Sequence, residues 1–230
     1  MGPVSLSKEW VTLTASPGSY NTDTSDMFAV HRALLESLGA APTYVARAGD
    51  DSTRVEVIGS FYENLLEFVH VHHSGEDELI YPLLQERCGD QDAEIERINE
   101  QHKLLDGPMD VGRSNVAAWR ASPSPEGAKA VVDAMVSIDQ TLRPHLADEE
   151  ITVVPLCSIW MSPEEWGRLP GHALQTFRAD KPWLALGLVF EQLTQEQRDA
   201  VRAGMPPAVD KLWTEQWQLA FNAFIAEVRQ

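Results

Sequence analysis

Apolar residues recur at three- and four-residue spacings through most of this chain, a period that fits helix and little else. Strand-like alternation is confined to Val11, Thr12, Leu13 and Thr14, which read as a short extended entry segment. Helices are expected at about 24–38, 53–85 and 90–105, and from 127 onward. Asp23, Thr24 or Ser25 can cap the first, and Gly39 should stop it. Pro82 should kink or interrupt the second, and Gly107-Pro108 should end the third. The Ser/Pro/Gly-rich stretch 122–127 separates the third from the fourth. Four amphipathic helices with short connections imply an all-α antiparallel four-helix bundle.

Residues 161–230 differ in kind. Ser162-Pro163-Glu164-Glu165 is a helix-start signature, with a capping Ser, Pro in the first position and Glu three residues after the Ser. Thr194-Gln195-Glu196-Gln197 opens another helix that ends at Gly204, and a last one at 207–228 carries Leu212, Trp213, Trp217, Phe221, Phe224 and Ile225. That aromatic density suggests packing on the bundle or on a partner chain, a second copy included. The expected division is an entry segment at 1–22, a bundle at 23–160 and accessory helices at 161–230.

The stripes hold histidines where the helical period calls for apolar residues. Met27/Phe28 and Leu34/Leu35 flank His31; Val69 and Leu79/Ile80 flank His72 and Glu76. Ile98 and Leu105 flank His102; Leu142 precedes His145 and Glu149. Each glutamate lies four residues after its histidine, about 40° further round the same face. One core histidine means little, since a backbone carbonyl usually satisfies it. Two carboxylates on apolar stripes, with no Lys or Arg beside them, are different, because an unpaired buried charge costs several kcal/mol. Metal is the simplest neutraliser. An internal repeat supports it: 72–83 matches 145–156 at a constant offset of 73, with His, Glu, an acidic neighbour, Pro and Leu coinciding, and His31 and His102 are 71 apart. Two helix pairs, each offering two imidazoles and a carboxylate, suit two ions bridged by the glutamates.

Charge and targeting narrow the alternatives. Lys and Arg number 18 against 35 Asp and Glu, a net charge of −17 that repels phosphate backbones and anionic lipid. No nucleic-acid or membrane partner is expected, and no apolar run approaches the roughly 20 residues of a span. The start lacks a basic stretch followed by an apolar one, and Cys88 and Cys157 alone make no disulfide framework. A soluble protein of the reducing cytoplasm is the expectation.

At His72-x-x-x-Glu76-Asp77 with Tyr81-Pro82, and His145-x-x-x-Glu149-Glu150 with Pro155, together with His31 and His102, the chain resembles the hemerythrin family, specifically its bacterial HHE cation-binding domains. The likeness covers about 20–160; a weaker one links the tail to C-terminal extensions of some actinobacterial members. It implies a bundle enclosing a non-haem di-iron centre that binds O2 or reacts with peroxide or nitric oxide. His31, His72, His102 and His145 would be terminal ligands, and Glu76 and Glu149 bridging ones. Two departures stand out. Where oxygen carriers have a further His on the third helix, this chain has Asp106, which leaves a position open or makes Asp106 a ligand, and favours reactivity over plain carriage. Glu150 stands at the carriers' spacing for the last carboxylate, but Glu149 mirrors Glu76 and stays on the stripe. Alternatives are an iron or oxygen sensor signalling through its tail and a structural zinc site; manganese is a further candidate ion.

The other polar residues carry plainer expectations. His70 and His73 should face solvent or stand outside the ligands, and His172 should lie on the surface in a Pro-Gly turn. Asp77, Glu78, Asp148 and Glu150 read mainly as a solvated face, with an occasional residue orienting a ligand histidine. Tyr62, Tyr81, Cys88 and Cys157 read as packing residues, the tyrosines with a second option as outer hydrogen-bond donors.

Overall fold

The computed structural model describes residues 20–49 and 51–230, so the expected extended segment at Val11 to Thr14 lies outside the described residues. Among the described residues there are helices and turns and no strand. The bundle consists of α1 (Ser25–Gly39), α3 (Ser52–Leu79), α6 (Lys103–Ala121) and α7 (Pro125–Ile151). Between the first two lies a short α2 (Ala41–Ala48), and between the second and third lie α4 (Tyr81–Arg87) and α5 (Asp92–Asn99). The last bundle helix is followed by α8 (Val153–Trp160). His31 sits in the first half of α1 and His102 just before α6, whereas His72 and His145 stand near the ends of α3 and α7. Meeting at one level therefore requires neighbours to run antiparallel, as the short links predict.

Local chemistry explains most boundaries. The Asp51 carboxylate accepts from the Thr53 and Arg54 amides and caps α3, and the Ser124 hydroxyl accepts from the Gly127 amide and caps α7. Gly39 is the last residue of α1, as expected. The chain bends at Ala40 and continues at once into α2, which Pro42 in its first turn helps start. Gly107-Pro108 does not end the third helix. Pro108 lies inside α6, where it forfeits only the bond to the carbonyl of Leu104, on a side of the helix that is 64% exposed at that residue and open to water. The expected 90–105 helix is instead α5, a 3-10 turn at Glu100–His102 and the start of α6.

Two apolar cores sandwich the histidine level. One holds Leu34, Phe61, Leu65, Val69, Leu105, Trp119, Met135, Ile138 and Leu142. The other holds Met27, Ile80, Tyr81, Ile95, Ile98, Val153 and Cys157. At about 25 cal/mol per Å2 of apolar surface removed from water, these layers supply the main stabilisation that fixes the polar layer between them.

The tail comprises α9 (Pro163–Trp166), α10 (Leu169–Thr176), α11 (Pro182–Gln192), α12 (Gln195–Gly204), α13 (Pro207–Leu212) and α14 (Gln218–Arg229). The expected start signature at Ser162 forms a capping box with Glu165, and the helix expected to open at Thr194 does so through a capping box with Gln197. The expected last helix is one run interrupted by a π turn at Trp213–Trp217. Helices α10 and α11 lack a polar stripe in the sequence and were not foreseen. The tail packs on the bundle: α11 lies against α1 and α3, and Asn64 of α3 binds both the Asp180 carboxylate and the Lys181 amide. Within the tail, Gly187 of α11 lets α14 come close, since a Cβ there would sit 2.2 Å from the Phe221 ring. Phe190, Trp213 and Phe221 stack edgewise within the extension. No described helix is long and apolar enough to cross a membrane.

Candidate metal centre

The repeat seen in the sequence becomes a repeated shape. After His72 and Glu76, α3 breaks at Ile80, whose amide still reaches the Glu76 carbonyl at 2.9 Å, and α4 restarts with Pro82 in its first turn. After His145 and Glu149, α7 breaks at Thr152, whose amide reaches the Asp148 carbonyl at 3.0 Å, and α8 restarts. Each break holds a His/Glu pair in the last two turns of a long helix.

The six residues singled out in the sequence meet in one buried layer. Their side chains form two overlapping groups in which potential donor atoms lie within 4.8 Å of one another. His31, His72, Glu76 and Glu149 make one, and Glu76, His102 and His145 belong to the other. The second group contains a residue that sequence reasoning missed, His73, which is buried at 8% exposure. Asp106 is exposed and stands outside both groups, so the open position expected there is not filled from that residue. His70 is exposed as expected. His172 is not a surface residue: it lies on α10 with its side chain 10% exposed, against Ser74 and Gly75.

Outside this layer, acceptors fix the rings. His31 Nδ1 lies 2.9 Å from a Glu150 oxygen, and His102 Nδ1 lies 2.9 Å from an Asp77 oxygen. The acidic residue following each core glutamate thus holds the lone histidine of the other half. That contact assigns Glu149 to the pocket and Glu150 to its outside. His145 Nδ1 lies 3.0 Å from Gln101 Oε1, and the Gln101 amide donates to Asp148, which Arg97 also engages. Asp77, Asp148 and Glu150 therefore orient rings instead of merely facing water, and each contact fixes a tautomer. The Tyr81 hydroxyl donates to Glu149 Oε1 at 2.6 Å in the buried layer.

Inside the layer, polar atoms go unsatisfied. Among the described residues seven buried side-chain N or O atoms lack a hydrogen-bond partner, and five belong here: His31, His72 and His73 Nε2, Glu76 Oε2 and Glu149 Oε2. Native interiors rarely tolerate such a cluster. His102 and His145 sharpen the point. Their Nδ1 atoms face acceptors and so carry hydrogen, which turns two Nε2 lone pairs toward each other at 3.1 Å. A cation relieves that opposition; without one, a proton must be held there. Charge balance tells the same story. Burial pushes the His72 and His73 imidazoles well down and His145 down to about 4. Burial also opposes charge on His102, but its bonds to Asp77 and Glu149 outweigh it and hold His102 at about 9. Burial and the neighbouring Glu149 charge raise Glu76, whereas Glu149 goes down to about 2, because His102 and the surrounding imidazoles overcome its burial. Protons are a makeshift filling for two carboxylates and two facing imidazoles. Among the described residues no Lys or Arg pairs with either glutamate, and both cysteines lie outside the two groups. Mixed nitrogen and oxygen donors without thiolate fit a pair of first-row cations.

No curated protein and no solved structure gives a significant match to the chain. The family model described as the hemerythrin HHE cation binding domain matches residues 22–157. With more than half of its length covered, and with the His/Glu groups lying inside the matched span, the chain belongs to the hemerythrin HHE family of cation-binding helical domains.

Proposed function

We propose that the buried layer holds two iron ions and that the protein binds O2 or reacts with a small oxidant such as peroxide or nitric oxide. The observation carrying this reading is the set of five unpartnered buried atoms together with the facing lone pairs of His102 and His145. His31, His72, His102 and His145 would supply nitrogens, and Glu76 and Glu149 would supply carboxylate oxygens. A di-iron pair, once bound, supplies electrons and open coordination positions to a small ligand.

The chain's own residues select and protect. Asp77, Glu150 and Gln101 keep three rings in one tautomer, so their inward nitrogens are free of hydrogen. Apolar layers on both sides exclude water and admit only small molecules. Tyr81 holds a proton 2.6 Å from Glu149, and burial beside two carboxylates keeps that phenol protonated. A second reading, a sensor without turnover, draws on α10, whose Leu169 and His172 rest on Gly75 between His72 and Glu76. Metal loading could then be felt in the tail. Structural zinc fits less well, since such sites are closed, tetrahedral and often thiolate-bound.

Metal analysis with an optical spectrum tests the proposal. Two irons per chain, with a charge-transfer band that changes on O2, peroxide or nitric oxide addition, are expected. His72→Ala and Glu149→Ala should reduce iron to background, and His172→Ala should keep it. One zinc and no colour would overturn the assignment. Iron loading without turnover, but with altered hydrogen exchange in 161–230, would favour the sensor.

A further inference from the structure

Resting on that reading and extending it, we propose that His73 is itself a metal donor, so that the imidazoles divide three to two between the paired ions. Adjacent residues on a helix point about 100° apart, so a narrow buried face cannot turn both inward. At this level the buried face of α3 is wide: Val71, His72, His73, Gly75 and Glu76 are all buried, and the solvent side is left to His70, Asp77 and Glu78. Helix α10 widens that face by resting on Gly75. A Cβ on Gly75 would meet His172 at 3.4 Å and Leu169 at 3.5 Å.

The His73 ring lies 4.4 Å from that of His102, 5.2 Å from His145 and 5.0 Å from His72, centre to centre. Its Nε2 is buried without a hydrogen-bond partner. A buried histidine kept only for packing normally finds a carbonyl or a hydroxyl. This one finds the imidazoles of His102 and His145 and the carboxylate of Glu76, with a donor atom within 4.8 Å of theirs. The other half of the repeat has Leu146 at the corresponding place, 1% exposed. The two groups therefore differ in composition: His73, His102 and His145 with Glu76 on one side, His31 and His72 with Glu76 and Glu149 on the other. The side with two imidazoles is the one left short of nitrogen donors.

The test uses the full iron-loaded chain. Pulsed EPR of the mixed-valent wild type counts coordinated imidazoles without any substitution, and five are expected; four would overturn the inference. His73→Leu, which imposes the residue type of the other half, should lower iron from two to about one per chain, and added imidazole should restore the second. Asp106→Ala should leave both. Circular dichroism of the metal-free variants checks folding, and His73→Gln repeats the measurement with a polar side chain if the leucine variant does not fold. Two irons with unchanged Mössbauer spectra in a folded His73 variant would also overturn it. A wild type that takes up no metal pair sinks the functional reading beneath it, whereas a pair held by four imidazoles sinks this inference alone.

Discussion

The two halves of the repeat agree where they orient and diverge where they fill. In both, a histidine and a glutamate one turn apart are followed by an acidic residue that holds the other half's lone histidine. At two positions buried in both halves a polar residue faces an apolar one: His73 stands where the second half has Leu146, and Tyr81 where it has Val154. Both polar additions belong to the first half. Tyr81 reaches across to Glu149 of the second, so one half contributes to the pocket beyond its share. Duplication alone gives two similar positions; these substitutions make them unequal.

The shared part of the design is open to direct attack. Asp77→Ala and Glu150→Ala each free one ring, and each should weaken metal binding by about 10–100-fold, read by competition with a chelator. Equal losses would mean that the halves orient equivalently, and a much larger loss from one would break that equivalence. A smaller effect belongs to the unequal part. Tyr81→Phe removes a buried bond to a carboxylate and should destabilise the metal-free protein by about 1.5 kcal/mol in denaturant unfolding. An unchanged midpoint would show that Tyr81 matters no more than Val154.

The smallest effect concerns the first half's link to the tail. Arg87 makes a two-pronged pair with Glu165 and donates to the Trp160 carbonyl at 2.5 Å. The Arg87 guanidinium holds the Glu165 carboxyl at about 2, below its ordinary 4.5. Because the folded value is depressed, the pair contributes fully above about 4.5, and its contribution is lost as pH falls toward 2. Both side chains are partly exposed, so the contribution is modest. Glu165→Gln should flatten the stability profile between those two values, and an unaltered acid limb would remove the pair from the account.

The sequence made the bundle and six residues of the pocket legible because polar side chains interrupted stripes that were otherwise apolar. His31 and His102 stand between apolar neighbours one turn away, and His72 and His145 follow Val69 and Leu142 by one turn, so the period located them. The same logic hid His73. Periodicity assumes a narrow buried face, and α3 near its end is buried over a wider arc that turns both His72 and His73 inward while His70 and Asp77 keep the solvent side. The third helix was misplaced for a different reason. Pro108 is a strong stop signal in isolation, but the burial of Leu105, Met109, Gly112, Val116 and Trp119 along one face outweighs a single lost hydrogen bond.

The crossed contacts, Asp77 to His102 and Glu150 to His31, have a consequence for assembly. Each helix pair carries the tool that aims its counterpart's ring and lacks the one that aims its own. Cut between residues 90 and 100, the chain would yield two fragments, neither able to present a finished set of nitrogens, yet complementary on mixing. Ion capture is thus a property of the association of halves, and any ancestor consisting of a single helix hairpin would have had to work as a pair.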